Sequence, residues 1–269
     1  MKSEVDRLYD AYVFDLDGTL YLGENALPGA VEVVSALRRA RIPVRFLSNN
    51  PTRGKQDYLD KLLSMGFQPE PNEVVTTVDA TARWLKKNHP DAVVFPIAEE
   101  PILDALREAG IATSADPTKI DIVLASYDRT FDYQKLQTAF DALWQHKRAF
   151  LMATNPDAYC PFPGGRGEPD CAAIVAAIEA STCVKNQVTI GKPNPHILLE
   201  ALTGTGVDPS NAIMVGDRLG TDIAMAVGLG MDSALVLTGD STRADAEQLP
   251  ESAQPDYVLE GVSGLLPTG

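Results

Sequence analysis

Two carboxylates stand one residue apart in Asp15-Leu16-Asp17-Gly18-Thr19, directly after the apolar run Ala11 to Phe14. Residues two apart in an extended chain point the same way, so this spacing brings Asp15 and Asp17 toward one site. Gly18 lets the backbone turn sharply behind them. Neighbouring carboxylates repel, and burying both requires a shared proton or a cation, a need that a divalent metal meets. Asp and Gly are also ordinary surface-turn residues; the strand in front of them is what favours a site.

Three further polar clusters follow apolar runs. Ser48-Asn49-Asn50 comes after Val44 to Leu47 and offers hydroxyl and amide donors suited to phosphoryl oxygens, or a plain loop and helix cap. Gly191-Lys192-Pro193 follows a run ending at Ile190, where Lys192 is a compact cation able to neutralise a phosphate charge. Gly216-Asp217-Arg218-Leu219-Gly220-Thr221-Asp222 follows Ala212 to Val215. Asp217, at a strand end, suits a metal ligand, with Asp222 supporting it from behind or complementing a helix dipole. Taken together, the four clusters supply a nucleophile, an acid/base, phosphate donors, a cation and metal ligands.

The elements needed to gather these clusters are legible as alternating strands and helices, the signature of α/β architecture. Strands are expected at 11–14 and 44–47, with helices opened by Pro28 (apolar face Val31, Val34, Leu37, Ala40) and running through Tyr58, Leu59, Leu62 and Leu63. A second series starts near Val78, with helices at 82–87, 101–109 and 133–146 and strands at 93–97, 120–125 and 150–153. A Pro- and Gly-rich loop, 155–169, precedes a helix at 171–180. The last series has strands ending at Ile190 and at 212–215, 234–237 and 257–259, with helices at 196–202, from Asp222, and at 244–249. Parallel sheets collect ligands outside the carboxyl ends of their strands, where all four clusters fall. No flexible linker divides the chain, so a second domain is expected to be inserted in the first.

Composition narrows the function. Acidic residues outnumber basic ones, 37 to 23, and the net charge of −14 argues against a nucleic-acid polymer or a membrane surface as partner. No apolar run reaches the length that spans a bilayer, and the charged start lacks a signal peptide's apolar stretch. Cys160, Cys171 and Cys183 are odd in number and form no CxxC pair, which fits reduced thiols in the cytoplasm. His89, His146 and His196 lack metal-ligand spacing, and Trp84 and Trp144 read as packing residues.

In order and spacing, Asp15-Leu16-Asp17-Gly18-Thr19-Leu20-Tyr21, Ser48-Asn49-Asn50, Gly191-Lys192-Pro193 and Gly216 to Asp222 resemble the four motifs of the haloacid dehalogenase superfamily, specifically its NagD-like, p-nitrophenyl-phosphatase-like group. The resemblance spans nearly the whole chain. It implies a doubly wound parallel sheet over residues 1–79 and 188–269, with a smaller α/β cap of the second type inserted at 80–187. It further implies Asp15 as nucleophile and Asp17 as acid/base, with Mg²⁺ held by Asp15, the Asp17 carbonyl and Asp217. Ser48, Asn49 and Lys192 would bind the phosphoryl group. Asn155 and Asp157, which match the NPD segment of such caps, would approach the substrate or simply form a structural Asx-Pro turn; Arg166 is a weaker candidate. The expected activity is hydrolysis of a small phosphorylated metabolite by a monomer or small homo-oligomer. A phosphotransferase or mutase on the same core, and a non-catalytic phospholigand-binding protein, are the alternatives. The physiological substrate is not readable from these motifs.

Overall fold

A computed structural model of the chain describes residues 1–162 and 166–266. Strand β1 (Ala11–Asp15) leads into a small hairpin, β2 (Tyr21–Leu22) and β3 (Asn25–Ala26), then α1 (Ala30–Arg39), β4 (Val44–Ser48), α2 (Lys55–Ser64) and β5 (Val74–Thr76). Next come α3 (Thr77–Asn88), β6 (Val94–Ile97), α4 (Glu100–Glu108), β7 (Ile122–Ala125), α5 (Tyr133–Phe140) and β8 (Phe150–Ala153). They are followed by β9 (Tyr159–Phe162), β10 (Arg166–Pro169), α6 (Cys171–Thr182) and β11 (Asn186–Thr189). The chain ends with α7 (Pro195–Leu202), β12 (Ala212–Gly216), α8 (Ala224–Leu229), β13 (Asp232–Val236), α9 (Arg243–Gln248) and β14 (Tyr257–Leu259).

Two compact units result. The first comprises Met1–Ser48, Lys55–Val75 and Lys192–Gly269; the second comprises Asn49–Gly54 and Thr76–Gly191. In the first, six strands run in the order β14-β13-β12-β1-β4-β5, and the pairs from β14 through β4 are parallel. From β1 the chain builds outward through β4 and β5 on one side and through β12 to β14 on the other. The order therefore reverses at β1, and the crevice beyond the carboxyl ends of β1 and β12 is the place such a sheet offers a ligand. Phe14 pairs with Val215 and Asp15 with Leu47, so the motif residues come off neighbouring strand ends. Tyr12, Phe14, Phe46 and Phe67 are among the buried side chains that fill this unit's core. The second unit has its own parallel sheet, β11-β8-β7-β6, packed around Ile97, Val123, Leu151 and Ile178.

Several expectations shift. The stretch 155–169 is not all loop: Tyr159–Phe162 and Arg166–Pro169 form an antiparallel hairpin. Its strands lack the alternating apolar signal because Tyr159, Phe162, Arg166 and Gly167 are exposed; Gly164 and Gly165 lie outside the described residues. In α1 the expected Val34 and Leu37 are buried, joined by Ala30 and Val33, whereas Val31 is only half-buried and Ala40 is exposed past the helix end. Helix α3 starts at Thr77 rather than 82, capped by Thr76, whose hydroxyl accepts from the Asp79 N–H at 3.1 Å. The helix expected over 133–146 leaves α geometry at Asp141 for a π turn, Asp141–Gln145. Another π turn, Leu219–Ile223, precedes α8. Trp144 is 53% exposed and stacks on Phe140, so it is a surface residue rather than core.

Leu62 and Leu63 both belong to the apolar run of α2, yet Leu62 is wholly buried and Leu63 is 53% exposed. Leu62→Ala is expected to cost about 2–5 kcal/mol of unfolding free energy, and Leu63→Ala within about 0.5 kcal/mol, read from denaturant midpoints. Equal losses would contradict the packing described for α2.

Candidate active site

Asp15, the last residue of β1, is 8% exposed. Its Oδ1 accepts a hydrogen bond from Lys192 Nζ, and the Thr19 hydroxyl lies 3.5 Å from Oδ2. Lys192 is buried, and the same ammonium reaches Asp222 Oδ1 at 2.7 Å. Burial alone would pull this lysine down, but Asp15 and Asp222 outweigh it and hold the ammonium above the usual lysine range. Asp217, just past β12, is buried as well, and Asp222 is wholly so. Three buried carboxylates thus face a single buried ammonium.

That imbalance marks the acids. Burial, reinforced by the charges of Asp15 and Asp222, pushes Asp217 up to about 8. Burial pushes Asp222 up to about 6, against the pull of Lys192. Asp217 Oδ2 accepts from the Asp240 N–H at 2.8 Å, whereas its Oδ1 is buried with no hydrogen-bond partner among the described residues. One oxygen from each of Asp15, Asp217 and Asp222 lies within 4.8 Å of the others. An all-oxygen set with an unsatisfied carboxylate oxygen and excess negative charge fits a hard divalent cation.

Glycines make the room. Gly18 sits at φ +86°, and a β-carbon there would lie 2.5 Å from Asp217 Oδ2. At Gly239 the β-carbon would lie 1.9 Å from the same oxygen. The loop after β13, Thr238-Gly239-Asp240-Ser241, is therefore part of the site: Thr238 Oγ1 donates to the Gly18 carbonyl at 2.6 Å and Ser241 Oγ accepts from the Leu219 N–H at 3.1 Å. Sequence reading passed it over, although it shows the same signal as the others, a polar cluster closing an apolar strand.

Asp17 departs from the cluster. Its side chain is 64% exposed and is held by Tyr21, whose hydroxyl donates to Oδ2 at 3.2 Å. Ser48, buried at the end of β4, donates through Oγ to the Tyr58 hydroxyl at 2.7 Å. Within the second unit, Asn49 Nδ2 donates to Asp157 Oδ2 at 2.7 Å. Asn155 is wholly buried and donates to Asp157 Oδ2 at 2.9 Å and Asp170 Oδ1 at 3.1 Å. Asp170 also caps α6, accepting from the Cys171 N–H at 2.5 Å. Its role carried no sequence signal, because its partner lies fifteen residues away across a hairpin. Arg166 is exposed and pairs with Glu168.

The geometry has close relatives. Residues 12–112 match the model of the haloacid dehalogenase-like hydrolases, and residues 189–265 match a second model described as HAD-hydrolase-like. The chain is 36% identical over 255 residues to an acid sugar phosphatase of Staphylococcus aureus, covering 95% of this chain and 96% of that protein. It is similar to the crystal structure of a 4-nitrophenylphosphatase from Thermotoga maritima, with a TM-score of 0.88, 34% identity and 95% of each chain covered. It is also similar to NagD from E. coli K-12, with a TM-score of 0.84, 26% identity and 98% of each chain covered. The chain belongs to the haloacid dehalogenase-like hydrolases.

Proposed function

We propose that the chain is a Mg²⁺-dependent phosphatase that hydrolyses small phosphate monoesters, sugar or polyol phosphates and nucleoside monophosphates among them, through an aspartyl-phosphate on Asp15. The observation that carries this reading is the set of three buried carboxylates around one buried lysine, with one Asp217 oxygen unsatisfied. A structural ion-pair network would balance its charges, whereas this set is suited to receiving cationic charge. The names of the relatives, an acid sugar phosphatase and a 4-nitrophenylphosphatase, support the substrate class. The three free cysteines and the absence, among the described residues, of any helix long and apolar enough to cross a membrane fit a cytoplasmic enzyme acting on soluble metabolites.

In this reading Asp15 attacks phosphorus as the ester bond breaks, giving an acyl phosphate and a leaving oxygen that takes a proton from Asp17. Asp17 then removes a proton from the water that hydrolyses the acyl phosphate, which restores Asp15 and releases inorganic phosphate. Lys192 holds Asp15 and would offset charge on the transferring group, while Ser48, the last residue of β4, and Asn49 after it would turn side-chain or backbone donors to its oxygens. Asp15, the Asp17 carbonyl and Asp217, with Asp222 behind them, would hold Mg²⁺, which would supply charge neutralisation for the transferring phosphoryl group. Asn155, with its amide given to two carboxylates, braces the loop that carries Asp157, and Asp157 is the nearer candidate for specificity.

Phosphate release from a panel of monoesters is expected with Mg²⁺ and is expected to vanish in EDTA; activity indifferent to the chelator would overturn the metal requirement. Asp15→Asn should lower turnover by at least about a thousandfold while leaving the fold intact by circular dichroism, and a variant at wild-type rate would sink the covalent route. Gly239→Ala drives a methyl against Asp217 Oδ2, so it should raise the Mg²⁺ concentration needed for half-maximal rate. An unaltered Mg²⁺ titration would remove Asp217 from the metal site.

A further inference from the structure

Lys61 is a lysine withdrawn from water. It lies in the last turn of α2, yet its side chain is only 9% exposed. Its ammonium sits 4.0 Å from the centroid of the Tyr21 ring, 4.0 Å from Asp17 Oδ1 and 3.8 Å from Glu24 Oε1. Tyr21 is wholly buried, and its hydroxyl donates to the other Asp17 oxygen at 3.2 Å. The backbone repeats the tie: the Gly18 N–H donates to the Tyr21 carbonyl at 2.9 Å, and Asp17 and Tyr21 form a β-bridge.

These contacts form a chain of supports. A cation over a ring face is attracted by the ring's quadrupole, and Glu24, 3.8 Å from the same ammonium, adds an exposed ion-pair contact. The ring so fixed aims its phenol at Asp17 Oδ2, while the ammonium faces Oδ1. The Asp17 side chain is 64% exposed, so burial does not choose its rotamer.

We propose that Lys61 and Tyr21 are positioning residues that hold the Asp17 carboxyl group in the orientation from which, when protonated, it passes its proton to the leaving oxygen and from which, once ionised, it takes one from water. The inference rests on the assignment of Asp17 as the acid/base. Neither residue touches the reacting phosphorus; Lys61 holds the ring, and the ring holds the acid. Their loss should matter in proportion to how much the leaving group needs a proton. An alkoxide leaving from a sugar or polyol phosphate needs one, whereas nitrophenolate leaves without it.

The test compares kcat/KM, which reports formation of the aspartyl-phosphate, for p-nitrophenyl phosphate and for the sugar or polyol phosphate the enzyme turns over best. In Tyr21→Phe and Lys61→Met, the second substrate is expected to lose about tenfold or more, with p-nitrophenyl phosphate within about twofold of wild type. Tyr21→Phe keeps the buried ring, and Lys61→Met provides an independent variant should the first fold poorly. Equal losses on both substrates, or none, would show that the two residues serve only the fold and would overturn the inference. Asp17→Asn separates the premise from the conclusion. If it too affects both substrates alike, the acid/base assignment fails and this inference with it; if it alone discriminates between them, only the inference fails.

Discussion

Burying three carboxylates around one ammonium is the constraint on which the rest of the first unit depends. Each of Asp15, Asp217 and Asp222 gives up hydration, and Lys192 can compensate only part of the loss. The structure tolerates this by partial measures: a backbone N–H from Asp240 on one Asp217 oxygen, one from Arg218 on Asp222 Oδ2 at 3.2 Å, and carboxyl groups pushed toward their neutral form. A site built this way is poised for positive charge from outside.

The parallel sheet makes the concentration possible. Only strand ends at a reversal of strand order place four separate stretches of chain within a few ångströms, and only glycine at 18 and 239 lets the backbone close over Asp217. The apolar cores of the two units have no chemical part in this.

The α/β class, the main alternation of strands and helices (though not the short strands β2, β3 and β5) and the gathering of Asp15, Lys192, Asp217 and Asp222 were legible because each motif closes an apolar run, a signal local in sequence. What escaped depends on partners far away or on exposed backbone. The hairpin strands Tyr159–Phe162 and Arg166–Pro169 are exposed at Tyr159, Phe162, Arg166 and Gly167 and so show no alternating apolar pattern. Asp170 gains meaning only from Asn155, and Lys61 only from a ring forty residues earlier. In α1, Val34 and Leu37 were legible, but Val31 and Val33 are chemically alike, and only the packing distinguishes which one is fully buried. The Gly239 loop was legible in principle, since Thr-Gly-Asp-Ser follows a strand as plainly as the other motifs do.

The pairing of β1 with β12 has a consequence for how the chain acquires its structure. Residues 11–15 must wait for residues 212–216 before the central pair of the first sheet can close, whereas every pairing of the second unit's main sheet closes between residues 94 and 189. Long-range parallel pairing is slow, and synthesis proceeds from the amino end. The nested unit can therefore complete its sheet on the emerging chain while β1, an apolar strand ending in Asp15, still has an unpaired edge. During that interval the strand most needed for chemistry is also the one most open to wrong partners.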